Sequence, residues 1–242
     1  QNLSIGQAGS ILVTGTTAVT CSAGTGIFVA IQFIEDTVFA SASGGLVAET
    51  EQLYPDDADM AFLSDSHRVN DIVCGVKIVG GFNDIKNSQF KNSNFVFQCG
   101  SVTNHINRNF WFELAIRNGM KPVKLVSKFA YVHETAVVGF GSIIYPGVKI
   151  MANVKIGSNC IILPNTVINH DSLIEDYSII NSSCVINGNV NIGNKSYIGS
   201  MSSIKEKINI TPKTTIGMSS SVLSDIKEPG IYFGSPAKKN KS

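Results

Sequence analysis

Residues 167–193 read "VINHDSLIEDYSIINSSCVINGNVNIG". Within them Ile168, Ile174, Ile180, Ile186 and Ile192 recur at a spacing of six. The phase holds outside the stretch as well. Counting by six from Val132, one meets Val138, Ile144, Ile150, Ile156 and Ile162 before it, and Ile198, Ile204, Ile210, Ile216 and Val222 after it. An amphipathic helix repeats at about 3.6 residues and a half-buried strand at about 2. Neither keeps one residue class at period six over such a length. The position four after each aliphatic is restricted too: nearly all are small or β-branched, as at Ser142, Val148, Cys160, Thr166, Ser172 and Cys184. Glycine follows the aliphatic at Gly139, Gly157, Gly193, Gly199 and Gly217. This is the hexapeptide pattern of a parallel β-helix. Three hexads make one triangular coil of about 18 residues, with the aliphatic inside, the small residue near a corner, and Gly or Asn helping the corner turn.

The coil length then predicts which residues stack. Residues one coil apart lie about 4.8 Å apart, one strand spacing. His170 falls between Ala152 below and Gly188 above, at an outward corner two residues after Ile168. Gly188 brings bare backbone to that corner. A histidine base and an exposed N–H donor within reach of one acyl group suit acyl transfer. Asp171, or a backbone carbonyl, could fix the imidazole tautomer. The same spacing also fits an exposed turn residue in an inert rod. His133, where the prism begins, reads as structural, and His67 and His105 as surface turn residues.

The chain has 242 residues, 43% apolar and 15% charged, with a formal charge of +1. Near-neutrality gives no reason to expect nucleic acid or a membrane as partner. No window approaches the ~20 apolar residues of a membrane span. No signal-peptide pattern is present, so a cytoplasmic location is expected. Cys21, Cys74, Cys99, Cys160 and Cys184 form no CxxC or zinc spacing and read as buried free thiols in a reducing compartment, with no metal.

Upstream of the prism, residues 53–126 read as a small α/β unit. "MAFLS" (60–64) and "NFVFQCG" (94–100) read as buried strands, "VKIVGG" (76–81) as an edge strand, and "HINRNFWFELAIRNG" (105–119) as a helix. In that helix Phe110, Leu114 and Ala115 can share a face, Trp111 reads as packing, and Gly119 as the residue past the C-terminus. "FASASGGLVAET" (39–50) is a glycine-containing turn able to offer N–H groups to a phosphate, with Ser43, Gly44 and Gly45 as candidate contacts. Residues 1–38 are rich in Thr, Gly and Val and read as strands and turns.

From about residue 39 to 237 the chain resembles the sialic acid O-acetyltransferase family, which includes bacterial UDP-amino-sugar N-acetyltransferases. The matching stretches are "AFLSD", "CGVKIVGGFNDI", "KLVSKFAYVHETAVVG", "INHDSLIEDYSII", "INGNVNIGNKSYIG" and "GIYFGSPAKK". The resemblance implies a Rossmann-like sugar-nucleotide domain joined to a left-handed β-helix, a homotrimer, and acetyl-CoA as co-substrate. It implies His170 as general base, with acidic Asp171 beside it, and the Gly188 N–H as oxyanion contact. Three positions depart from the family pattern. The turn "ASGGLVAE" lacks the family's histidine, Ile179 stands where a second histidine is frequent, and Glu175 where glycine is usual. Lys238, Lys239 and Lys241 could meet the CoA phosphates or keep the terminus soluble. Residues 1–38 instead resemble the N-terminal segment of small bacteriophage virion proteins.

The expected organisation is thus α/β plus β: a β-rich attachment-like segment (1–38), a reduced Rossmann-like domain (39–126), a left-handed β-helix (127–223) and a C-terminal tail (224–242). Two functions compete. One is an acetyl-CoA-dependent acetyltransferase acting on a sugar or sugar nucleotide. The other is a trimeric, non-enzymatic virion fibre or decoration protein, which would contact other virion proteins through residues 1–38.

Overall fold

Strands buried on both faces read as nearly continuous apolar runs, and such runs build the first sheet. The computed structural model describes residues 28–33, 60–64, 68–73, 76–99 and 108–240. Its N-terminal sheet holds β1 (Phe28–Phe33), β2 (Met60–Leu63), β3 (Ile72–Val73), β4 (Val76–Gly80), β5 (Asn94–Cys99) and β6 (Lys121–Pro122), in the order β3-β4-β2-β1-β5-β6. All neighbours are parallel except β3 and β4, which form a hairpin. The order reverses between β1 and β5, the doubly wound arrangement in which ligands sit beyond the carboxyl ends of the strands at the switch point.

Three expectations change here. The strand β1 lies inside the stretch 1–38 that composition had set apart, yet it is the central strand, bonded to both β2 and β5. Its sequence "FVAIQF" is a nearly continuous apolar run, and its backbone joins β2 to β5. The run 76–81 is not an edge: β4 is bonded to β2 on one side and β3 on the other, and a two-residue strand such as β3 leaves no periodic signal. The helix α1 (Arg108–Arg117) buries Arg108, Phe112 and Ala115, while Phe110 faces solvent. Trp111 does pack, 5.2 Å from Phe82 between ring centres, and Gly119 takes φ +84 just past the helix end.

Beyond β6 the chain winds into the prism. Two-residue rungs stack in register eighteen residues apart on three faces. The first face runs through Ile143–Ile144, Ile161–Ile162 and Ile179–Ile180, the second through Lys149–Ile150, Val167–Ile168 and Val185–Ile186, and the third through Lys155–Ile156, Leu173–Ile174 and Asn191–Ile192. The second residue of each rung points inward; Ile150, Ile168, Ile174, Ile186 and Ile204 are fully buried. The first rung is Leu125–Val126, so the winding starts one rung before Val132.

The corners show two devices that the period alone did not separate. The left-handed backbone conformation falls on the third residue after each aliphatic, from Gly141 and Gly147 through Asn153, Asn159, Asn165, Asp171, Tyr177 and onward to Ser219. The glycines directly after the aliphatic serve close approach instead. A Cβ at Gly199 would sit 2.5 Å from the Met218 nitrogen, and one at Gly193 2.5 Å from the Pro212 nitrogen. The small residue four after the aliphatic clamps adjacent coils. The Ser172 hydroxyl donates to the Asn187 carbonyl (2.9 Å) and accepts the Val190 N–H (3.1 Å). Thr166 does the same with the Asn181 carbonyl and the Cys184 N–H, and Ser178 with Gly193 and Ser196. The Cys160 and Cys184 thiols donate to the carbonyls of Glu175 and Gly199. Both cysteines are free and buried, and burial pushes their thiols up, to about 12 and about 11.

The last residues close the prism. Ile226 bridges to Ile210, the strand Gly230–Phe233 extends the first face beside Thr214–Ile216, and Lys238–Lys239 folds back antiparallel on it. The stretch 224–240 is therefore a cap that covers the open end of the apolar column. At the other end, Ile143, Ile161 and Ile179 are 1–3% exposed although they point outward from the first face. One apolar cluster joins them to Phe62, Val76, Ile78 and Val96 of the sheet domain, so that domain sits on the first face. Arg108 pins the contact by donating to the Asn159 carbonyl (2.8 Å) and side-chain oxygen (2.7 Å). Tyr177 adds a hydrogen bond to Glu113 (2.6 Å), and its hydroxyl is pushed above its ordinary range by burial and by that carboxylate.

Candidate active site

The corner between the second and third faces carries His170. Ile168 closes one rung inside the prism and Leu173–Ile174 forms the next, so residues 169–172 must turn between them, with His170 and Asp171 exposed and Ser172 buried. His170 is second in that turn, and its side chain is 61% exposed. Asp171 is third, at φ +59, a conformation that Asp tolerates better than most residues. This left-handed turn brings the Asp171 carboxylate to 2.8 Å from His170 Nδ1. A carboxylate can only accept, so Nδ1 carries a proton in this contact, and in the neutral form of the ring it is Nε2 that holds the lone pair. The other Asp171 oxygen accepts from the Asn153 amide at 3.0 Å, one coil below. These two hydrogen bonds, His170 first and Asn153 second, hold the Asp171 carboxyl below its ordinary value.

Gly188 lies one coil above, as the register required. A Cβ there would stand 2.7 Å from both Cε1 and Nε2 of His170. The imidazole therefore rests on bare backbone, with its basic nitrogen at the glycine. Among the described residues no group accepts the Gly188 N–H, while its carbonyl accepts from Lys207. The corner thus presents one acceptor nitrogen and one donor N–H on adjacent coils. Beside it, on the third face, a groove of about 550 Å³ is lined by Thr135, Asn153, Lys155, Asp171, Leu173 and Asn191.

The remaining candidates are placed elsewhere. Ser43, Gly44 and Gly45, with His67 and His105, lie outside the described residues. Ile179 is buried beneath the sheet domain, on the first face. Glu175 accepts the Asn194 N–H at 2.9 Å. Lys238 and Lys239 sit on the capping hairpin, four strand spacings above Ile179–Ile180, or roughly 19 Å. Lys239 is paired with Glu228 at 2.8 Å, both exposed; Lys238 is exposed. His133 bonds Thr135 at 3.0 Å. Asn153 carried no signal in the period-six pattern; only the eighteen-residue offset from Asp171 could have found it. No cluster of His, Cys, Asp and Glu able to hold a metal occurs among the described residues, and no helix among them is long and apolar enough to cross a membrane.

Residues 120–231 match the family model described as the GMPPB C-terminal domain. No curated protein sequence matches the chain. Among solved structures, a histidine-to-asparagine variant of perosamine N-acetyltransferase from Caulobacter crescentus, in complex with CoA and GDP-perosamine, is similar over 91% of this chain and 99% of its own, at TM-score 0.78 and 18% identity. The acetyltransferase domain of PglB from Neisseria gonorrhoeae FA1090, in complex with acetyl coenzyme A, is similar over 90% of this chain and 100% of its own (TM-score 0.76, 22% identity). WeeI from Acinetobacter baumannii AYE covers 88% and 100% (TM-score 0.77, 19% identity). Over about nine tenths of its length the chain has the fold of these structures: a small α/β domain followed by a left-handed parallel β-helix of hexapeptide repeats.

Proposed function

We propose that the protein is an acetyl-CoA-dependent acetyltransferase acting on a sugar or sugar nucleotide, with His170 as its general base. The observation that carries this reading is the seating of His170: Nδ1 tied to Asp171 and Nε2 held against the bare backbone of Gly188. In the reaction, Nε2 removes a proton from the acceptor amine or hydroxyl as that atom attacks the thioester carbon. The Gly188 N–H stabilises the oxyanion. The tetrahedral intermediate then expels the CoA sulfur, which takes the proton back from the imidazolium. The products are the acetylated sugar and CoA thiol, and no covalent enzyme intermediate is needed. Acetyl-CoA or CoA in complexes of structures with the same fold supports the donor, and GDP-perosamine supports the acceptor class.

The functional unit in this reading is a homotrimer. His170 lies on the edge away from the protein's own sheet domain, and exposed Tyr131, Val137 and Val185 on the second and third faces offer apolar surface to neighbouring coils. The CoA chain would lie in the groove between two copies, with Lys238 toward its phosphates. The acceptor nucleotide would use the switch point between β1 and β5 and the turn at Ser43, Gly44 and Gly45.

The test is thiol release from acetyl-CoA with a panel of amino-sugar and hydroxyl-sugar nucleotides, comparing wild type with His170→Ala. A loss of 10²–10⁴-fold is expected from removing a general base. Absence of acetyl-CoA binding and turnover in the wild type would overturn the reading. The virion alternative was favoured by residues 1–38, by the turn "ASGGLVAE" without its histidine and by Ile179; the central strand Phe28–Phe33 ties part of the first of these into the α/β sheet, and recovery of the chain in purified virions would support that alternative.

A further inference from the structure

The edge that carries His170 holds more polar order than a general base requires. Thr135, Asn153 and Asp171 stack at one-coil intervals, and each is bonded to the next. The Asn153 N–H donates to Thr135 Oγ1 (2.9 Å), and the Asn153 side-chain amide donates to Asp171 (3.0 Å). Below, Thr135 meets His133 Nδ1 through both its hydroxyl (3.0 Å) and its N–H (3.2 Å). The donor directions are forced. Asp171 only accepts, so the Asn153 amide must turn its NH₂ upward. The Thr135 N–H donates to His133 Nδ1, so that nitrogen is an acceptor and the Thr135 hydroxyl donates to it as well. The result is a ladder whose last step holds the carboxylate that orients His170.

We propose that Asn153 is a positioning residue for His170. It anchors one Asp171 oxygen so that the other stays aimed at Nδ1, and Thr135 anchors Asn153 in turn. The assignment builds on the acetyltransferase reading. An exposed His–Asp pair left to itself would sample several rotamers; the amide removes that freedom for the carboxylate. The left-handed φ of +59 at Asn153 supplies the means of testing this. Glycine and aspartate both tolerate that conformation, so Asn153→Gly deletes the donor, and Asn153→Asp replaces it with a group that cannot donate to a carboxylate once ionised, without breaking the corner.

The experiment has two arms. Nitrogen-15 NMR of the His170 ring reads its tautomer in the full protein without substrate. Wild type should show the proton on Nδ1, and both variants should show a mixture. Steady-state kinetics should show kcat reduced roughly tenfold, with KM for acetyl-CoA unchanged, as expected when one hydrogen bond to a charged positioning group is lost. Wild-type ring signals together with wild-type kcat in Asn153→Gly would overturn the proposal. If the wild-type protein turns over no substrate, the acetyltransferase reading fails. The NMR arm still decides whether Asn153 sets the ring: a single Nδ1–H tautomer unchanged by both variants would refute that as well.

Discussion

Adding one methyl group at Gly188 should separate chemistry from folding in this protein. An alanine Cβ there would lie 2.7 Å from His170 Cε1 and Nε2 and 3.3 Å from Cδ2. Ordinary carbon contacts lie at about 3.5–4.0 Å, so the ring must retreat by roughly 1 Å. The Gly188 backbone is not in the left-handed region, unlike Gly141 and Gly147, so alanine adds no backbone strain. The ring is mostly exposed, so it can swing outward into solvent when displaced from its seat. Stability should therefore stay within about 1 kcal/mol of wild type, since alanine also restricts the unfolded chain. Catalysis should suffer, because a misplacement of about 1 Å at a reacting group costs on the order of 10²-fold. Thermal melts and acetyl-transfer assays on Gly188→Ala measure both. A wild-type kcat would refute the seating of Nε2 against Gly188 as the catalytic arrangement. A loss of several kcal/mol in stability would refute the claim that the contact is with a mobile ring alone.

Three further outcomes are expected. Asp171 has a folded pKa below its unfolded one, so its hydrogen bonds contribute stability above the ordinary carboxylate range and lose it as pH falls through the folded value; melts of wild type and Asp171→Asn should differ near neutrality and converge in acid, and a gap that widens in acid would contradict the sign. Ser172→Ala leaves the Val190 N–H and the Asn187 carbonyl without their clamp, which should cost about 1–3 kcal/mol in denaturant titrations; an unchanged midpoint would show that the clamp is dispensable. Met201 holds φ +61 with its side chain 68% exposed, so Met201→Asn should raise stability by about 1 kcal/mol, or roughly 2–4 °C in the melting temperature, and a lower value would point to a contact made by the methionine thioether.

The site was partly legible for a geometric reason. Once the coil length is known, stacking is arithmetic, and His170 under Gly188 follows from positions alone. What stacking cannot give is direction. Whether Asp171 or a backbone carbonyl met the imidazole depended on how the corner turns, and the turn is left-handed at Asp171. Asn153 was invisible because asparagine is common at these corners. The glycines after the aliphatics suggested turning, whereas their contacts show coil-to-coil approach. Ile179 stood out as a departure from a family pattern, and its burial under the sheet domain explains an aliphatic there.

The sequence by itself determined the prism, its coil length and its inward column. A position sealed from water on all sides accepts only aliphatic residues of one size, so burial writes itself into the chain at every sixth residue. Only the tertiary structure decided the rest. Corner residues turn in solvent, where Tyr177, Lys195, Met201 and Ser219 share one backbone conformation without sharing chemistry. The strand Phe28–Phe33 belongs to the sheet because of partners that lie more than twenty-five residues away, and the cap 224–240 covers a column that its own sequence does not repeat. These features depend on contacts between distant segments, and no local period records them.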